Sequence, residues 1–171
     1  MTNRTPRASA ATEQRQALQA LCATRLRDHN LIIASNRGPV EFFEKHGQLA
    51  YRRGQGGLVT AITSMAEVTP TTWVASVMSH ADARVAAEHE GRMQVPVNGH
   101  PLLVSFVQPN PQQYHRYYDQ IANAVLWFLQ HNITNAPAHP TFDTLLWQAW
   151  DEGYVEVNRL FAERLAEEAR R

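Results

Sequence analysis

Three groups of residues have the types and spacing to do chemistry. The first is Ser35-Asn36-Arg37, directly after the apolar run Leu31-Ile32-Ile33-Ala34. An arginine just past a buried strand carries a fixed charge on a planar fork, which matches the oxygens of a phosphate. Ligands of open α/β sheets bind beyond the carboxyl ends of the strands, where Arg37 falls. The second group is Gly56-Gly57, ahead of Leu58, Ile62 and Met65 at helical spacing. A helix N-terminus offers free N–H groups and partial positive charge to phosphate, and glycine lets a ligand reach the backbone. The pattern is neither GxGxxG nor the P-loop, so it is no dinucleotide or nucleotide fingerprint. The third group is Tyr117-Tyr118 with Trp127. Tyr118 and Trp127 lie about 900° apart around an α-helix and so on opposite sides, which predicts that one of them lines a cleft. There a tyrosine hydroxyl bonds phosphate, or an indole bounds a sugar. Each group has a plainer alternative: a surface arginine, glycines that only make a turn, and aromatics that only pack.

Other constellations do not form. The histidines have no ligand spacing such as HExxH, so no metal is assigned. Ser35 lacks a GxSxG setting. Asp151 and Glu152 open a helical turn, where carboxylates pair with the helix dipole.

The elements that must position these groups follow from periodicity. Residues 1–11 are polar and small and read as a disordered arm, with a possible helix over 12–28. Residues 31–35 read as a buried strand and 40–53 as a hairpin around His46-Gly47. A helix follows Gly57 and stops at Pro70. Residues 72–77 read as a second buried strand and 80–91 as a short exposed helix. Asn98-Gly99 joins the strands around 94–97 and 102–107 in a hairpin. Residues 112–131 form an amphipathic helix and 132–142 a loop. A long C-terminal helix carries Leu146, Trp150, Tyr154, Val157, Phe161 and Leu165 on one face. Alternating strands and helices predict an α/β fold with a parallel portion. The few strands, and a final helix with no strand after it, predict an incomplete domain.

Composition narrows the class. The 171 residues are 44% hydrophobic and 19% charged, enough for one domain with a core. Four Trp, five Tyr and six Phe exclude a wholly disordered chain, and a lone Cys22 excludes a disulfide scaffold. A formal net charge of zero gives no footprint for nucleic acid. No run is long enough to span a membrane and no secretory signal is evident. A cytoplasmic protein is the expectation.

Taken in order, the stretches LIIASNRGPV, GGLVTAI, TTWVASV, YHRYYDQIANAVLW and DEGYVEVNRLFAE resemble the N-terminal part of the trehalose-6-phosphate synthases, the retaining glycosyltransferase family 20. The matching features are Ser35-Asn36-Arg37, Gly56-Gly57-Leu58, Tyr117-Tyr118 with Asn123 and Leu126-Trp127, and Tyr154 with Asn158 and Phe161-Ala162. The step from Trp150 to Tyr154 is one residue longer than the family's. After Trp127 the chain reads Phe-Leu-Gln-His where the family tends to Pro-x-Phe-His. The resemblance covers residues 31–168. It implies an incomplete Rossmann-like N-terminal domain of a GT-B enzyme over 31–171, ending before the donor-binding domain. It implies glucosyl transfer with retention from UDP-glucose to glucose 6-phosphate, with no cofactor or metal. By resemblance Arg37, Tyr118 and Trp127 serve the acceptor phosphosugar and Gly56 and Gly57 the donor UDP-glucose; catalytic residues are not assigned. The family's Asp-Tyr-His segment and the Arg and Lys that grip pyrophosphate lie beyond these residues, so the chain alone is expected to be inactive. The alternative is a non-catalytic phosphosugar-binding or regulatory module pairing with a complementary chain; for partners, a homo-oligomer or a complementary chain is the expectation.

Overall fold

A computed structural model describes residues 6–26, 29, 31–66, 69–133 and 142–171. By internal packing the chain divides into two units, Met1–Phe106 with Arg171, and Val107–Arg170. Each is described by itself. The sequence reads 31–171 as one domain; the division falls within that span, at the end of a strand.

The first unit runs α1 (Pro6–Arg25), β1 (Leu31–Ser35), β2 (Val40–Lys45), β3 (Gln48–Arg53), α2 (Gly57–Ala66), β4 (Thr71–Ser76), α3 (His80–Glu88), β5 (Arg92–Val97) and β6 (His100–Val107). A four-stranded sheet has the order β1-β4-β6-β5. β1 and β4 pair in parallel, from Leu31 opposite Thr71 to Ser35 opposite Ala75. Parallel neighbours need a long crossover, and the β2–β3 hairpin with α2 supplies it. β5 and β6 pair antiparallel around Asn98 and Gly99, both at positive φ as a tight hairpin turn requires. The core gathers Phe42, Val59, Trp73, Val85, Leu102, Val104 and Phe106.

Two expectations change here. Helix α1 starts at Pro6, so residues 6–11 of the predicted arm are helical; proline suits a first helical turn and the alanines after it favour helix. Residues 1–5 of that arm lie outside the described residues. Helix α3 is not an exposed helix, because Ala81, Val85 and Ala86 belong to the core.

The second unit is helical. Its elements are α4 (Pro111–His115), a π-helical segment π1 (Arg116–Leu126), α5 (Trp127–Gln130), α6 (Thr144–Ala149), a second π segment π2 (Trp150–Val155) and α7 (Glu156–Ala169). Asn110 and Gln113 cap α4 reciprocally, and Asp143 caps α6. Ile121, Val125 and Ala149 form its core, with Leu146, Trp150 and Tyr154 against them. Residues 134–141 of the predicted loop lie outside the described residues. Gly153 is where π2 meets π1. A Cβ there would stand 2.3 Å from the Arg116 Cβ and 2.9 Å from the Tyr117 nitrogen. Only glycine permits that approach.

The observed architecture is the α/β class expected, with a parallel strand pair, a β-hairpin and a long C-terminal helix. Among the described residues no helix is long and apolar enough to cross a membrane.

Candidate functional site

The carboxyl ends of β1 and β4 carry the most developed polar site of the first unit. Ser35 closes β1, and its hydroxyl donates to the Arg37 carbonyl at 2.6 Å while accepting from the Trp73 indole at 2.8 Å. Trp73 is fully buried in β4, so the loop after β1 is fixed to the core. The Ser76 N–H donates to the Asn36 carbonyl at 3.1 Å, one step beyond the last paired residues of the strands. The Gly54 N–H donates to the Pro39 carbonyl at 2.8 Å, tying the hairpin exit to the same loop. Arg53 fixes that exit by donating to the Thr63 hydroxyl on α2 at 3.0 Å. A loop held at three points keeps the base of the Arg37 side chain in place.

Arg37 itself is exposed, and among the described residues its guanidinium has no hydrogen bond or ion pair. Other arginines differ. Arg52 pairs with Glu41, Arg84 with Glu44 and Glu88, and Arg159 with Glu156. A free, always-charged fork on a fixed loop suits phosphate or carboxylate.

Arg37 lines a cavity of about 210 Å³ together with Gly54, Gln55 and Ser76. Val40, Phe42 and Phe106 give it apolar walls. Asp82 of α3 lines it too, and is buried. Its carboxylate accepts from the backbone N–H groups of Met78 and Ser79 at 3.0 Å, while the Ser79 hydroxyl accepts from the Asp82 N–H. That reciprocal cap occupies the α3 N-terminus with the protein's own carboxylate.

The glycine pair sits beside this cavity in sequence rather than in its wall. Gly56 follows the lining residue Gln55, is exposed and has φ 125°, a conformation that side chains rarely adopt. Gly57 is the first residue of α2, and a Cβ at either glycine would meet open space. The α2 N-terminus therefore faces no packed neighbour at these two positions.

Tyr118 and Trp127 belong to the second unit. Tyr118 is half-buried and stacks on Tyr114 with ring centroids 5.6 Å apart. Tyr117 stacks on Tyr154, which stacks on Trp150. Burial, with the neighbouring tyrosines Tyr114 and Tyr154, pushes the Tyr117 hydroxyl above its ordinary pKa. Trp127 is 44% exposed and stacks on His131 at 4.3 Å, with Phe128 edge-on at 5.2 Å. The prediction that Tyr118 and Trp127 face opposite sides assumed α-helical winding. The residues between them are π-helical to Leu126, so the 100° step does not hold.

Among the described residues no cluster of three or more His, Cys, Asp or Glu stands where it could hold a metal ion. Sequence reasoning missed Ser76 and Asp82. The Ser79-x-x-Asp82 spacing was a visible capping signal; Ser76 had only its place at a strand's carboxyl end.

The model of glycosyltransferase family 20 matches residues 29–171. The chain belongs to glycosyltransferase family 20. Among its relatives are "Alpha,alpha-trehalose-phosphate synthase [UDP-forming] 2" of Aspergillus niger, 30% identical over 84% of this chain and 28% of the relative. Another is trehalose-6-phosphate synthase of Mycobacterium ulcerans, 31% identical over 84% of this chain and 26% of the relative. The chain thus spans about a quarter of the length of the curated relatives it matches. A solved structure described as trehalose-6-phosphate from E. coli bound with UDP-2-fluoro glucose aligns with a TM-score of 0.50 at 20% identity. It covers 81% of this chain and 25% of that one. At that identity the likeness speaks for the fold, a Rossmann-like GT-B domain.

Proposed function

We propose that this chain provides acceptor-side and donor-contacting elements for glucosyl transfer from UDP-glucose to glucose 6-phosphate, with retention of configuration. The observation that carries the reading is the unpaired Arg37 guanidinium at the cavity beyond the parallel strands β1 and β4. In a family 20 chain that is where a phosphosugar anion gains most. Arg37 binds the acceptor phosphate through charge-assisted hydrogen bonds. Gly56 and Gly57 present the open start of α2 to the donor, whose phosphates are drawn by the helix dipole. Tyr118 and Trp127 serve the acceptor, the hydroxyl by hydrogen bonding and the indole by bounding the sugar; their support is the family pattern in which they stand. Residues 31–171 act as one N-terminal, Rossmann-like domain in this reading.

Transfer with UDP as leaving group builds charge on a departing phosphate, and that charge needs preorganised donors around it. A chain spanning a quarter of its relatives supplies one part of such a site, so the 171 residues alone bind without turning over. The lone Cys22 fits a reducing, cytoplasmic setting.

Titration calorimetry tests the binding. Glucose 6-phosphate is expected to bind the wild-type chain, and Arg37→Ala to weaken it about tenfold or more. Equal affinity for wild type and Arg37→Ala would remove Arg37 from the site. A UDP-release assay with the chain alone is expected to read zero, and sustained turnover overturns the expectation of inactivity.

A further inference from the structure

We propose that the cavity beside Arg37 takes the sugar ring of the ligand and that the Ser76 hydroxyl hydrogen-bonds a ring hydroxyl, which makes Ser76 a sugar-recognising residue. The inference rests on the reading of Arg37 given above and adds the direction in which the ligand lies.

Ser76 is the last residue of β4 and is 4% exposed. Its hydroxyl oxygen is buried with no hydrogen-bond partner among the described residues. Neighbouring hydroxyls are all engaged: Ser35 with Arg37 and Trp73, Thr63 with the Val59 carbonyl, Thr71 with the Thr69 carbonyl, and Ser79 with Asp82. A buried hydroxyl left unpaired destabilises the fold, so its retention calls for a partner that arrives. Ser76 lines the same cavity as Arg37, and its backbone N–H is tied to the loop that carries Arg37. Rotation about its single χ1 bond turns the hydroxyl among three staggered positions, so it can meet a ligand there without backbone movement.

Size and polarity fit a sugar. A dry cavity of about 150 Å³ holds benzene, so about 210 Å³ admits a six-membered ring with substituents. Phe42 and Phe106 offer apolar wall to the C–H face of such a ring, and a serine hydroxyl both donates to and accepts from its hydroxyls.

Charge sets the orientation. On the α3 side the Asp82 carboxylate already takes the Met78 and Ser79 N–H groups, and its negative charge repels a phosphate there. On the other side Arg37 is free. The phosphate therefore lies at Arg37 and the neutral hydroxyls point toward Ser76.

Calorimetry on the 171-residue chain, with inorganic phosphate and glucose 6-phosphate as separate probes, tests this. The expected pattern is that wild type prefers glucose 6-phosphate. Ser76→Ala should weaken glucose 6-phosphate about five- to tenfold and leave inorganic phosphate within twofold, while Arg37→Ala weakens both. Ser76→Ala should also melt at the same temperature as wild type or higher, since it removes an unpaired buried hydroxyl. Unchanged glucose 6-phosphate binding in Ser76→Ala overturns the Ser76 assignment and leaves the Arg37 reading standing. Equal wild-type affinity for the two probes overturns the sugar cavity in the same way. A lowered melting temperature with both probes weakened marks Ser76 as structural and also overturns it. If wild type binds neither probe, the Arg37 reading fails and this inference falls with it.

Discussion

The two units hold their functional candidates by opposite means. In the first, Arg37 is free at its tip while its loop is fixed by bonds from Ser35, Ser76 and Gly54. In the second, Tyr117 and Tyr118 are occupied by their neighbours, in stacks that run through Tyr114, Tyr154 and Trp150. A fixed base with a free tip suits charge recognition, because the backbone is already placed and the guanidinium has no internal partner to give up on meeting an anion. Stacked rings on π-wound helices suit shape recognition, because packing sets where each ring stands. The contrast predicts that core damage in the first unit releases Arg37, whereas damage in the second shifts ring packing.

The largest effect is expected from Trp73→Ala. Trp73 is fully buried and its indole holds the Ser35 hydroxyl that in turn holds the Arg37 carbonyl. Loss of the ring should cost about 3–5 kcal/mol, read from urea unfolding. Amide exchange should rise most in β1 and β4. Protection lost equally throughout the second unit would show that the two do not respond separately.

Next is Gly153→Ala. The added methyl would meet the Arg116 Cβ and the Tyr117 backbone, which cannot step aside as a long side chain can. A cost of about 1–3 kcal/mol is expected, with near-ultraviolet dichroism changing as the Tyr117–Tyr154 stack moves. A variant as stable as wild type, with unchanged dichroism, would break the claim that packing at Gly153 sets the rings.

Much of the first unit was legible because its signals are local. The run Leu31–Ala34 is β-branched and apolar and stops at polar residues, so β1 and the place of Arg37 could be read directly. Asn98-Gly99 marked its hairpin, and Gly56-Gly57 the start of α2. What could not be read was which residues share the cavity. Gln55 lines it and its neighbour Gly56 does not, a difference that no spacing in the sequence carries. Ser76 carries no signal of its own, since a serine ending a strand looks the same paired or unpaired. The π segments were illegible for a different reason. Their apolar residues fit a 3.6-residue period, and the winding departs from it where Gly153 lets two helices approach. Helix α3 was read as exposed because its buried residues are two alanines, one valine and Asp82, which make a weak apolar stripe.

Asp82→Asn comes third. The carboxylate holds two backbone N–H groups at the start of α3, and the reciprocal bond from Ser79 completes the cap. Both N–H groups meet the same oxygen, Oδ2, and the Phe42 N–H reaches Oδ1 at 3.4 Å, so an amide that keeps its oxygen at the α3 start turns its NH2 toward the Phe42 N–H, and about 1–2 kcal/mol should be lost. In the cavity the same change removes the charge that directs phosphate toward Arg37. The sharper readout is therefore selectivity: inorganic phosphate should bind Asp82→Asn more tightly than wild type. Weaker phosphate binding in a folded variant would refute that electrostatic role.

The smallest effect belongs to Glu152, one residue before Gly153, and its sign is fixed by its neighbours. The hydrogen bond from Gln148, and then that from Arg116 across the π1–π2 contact, hold its carboxyl below the ordinary glutamate pKa of 4.5. A carboxyl with a lowered folded pKa binds protons more readily when unfolded. Its stabilisation is therefore complete above the ordinary value and fades as the pH falls through the lowered one. The carboxylate is half exposed, so solvent screens the pair and added salt should shrink the effect further. Urea midpoints of wild type and Glu152→Gln should differ slightly at about pH 7 and converge as the pH falls through the lowered value. A gap that persists undiminished in acid would mean that Glu152 acts through packing beside Gly153 rather than through its charge. The second unit would then be held by shape alone.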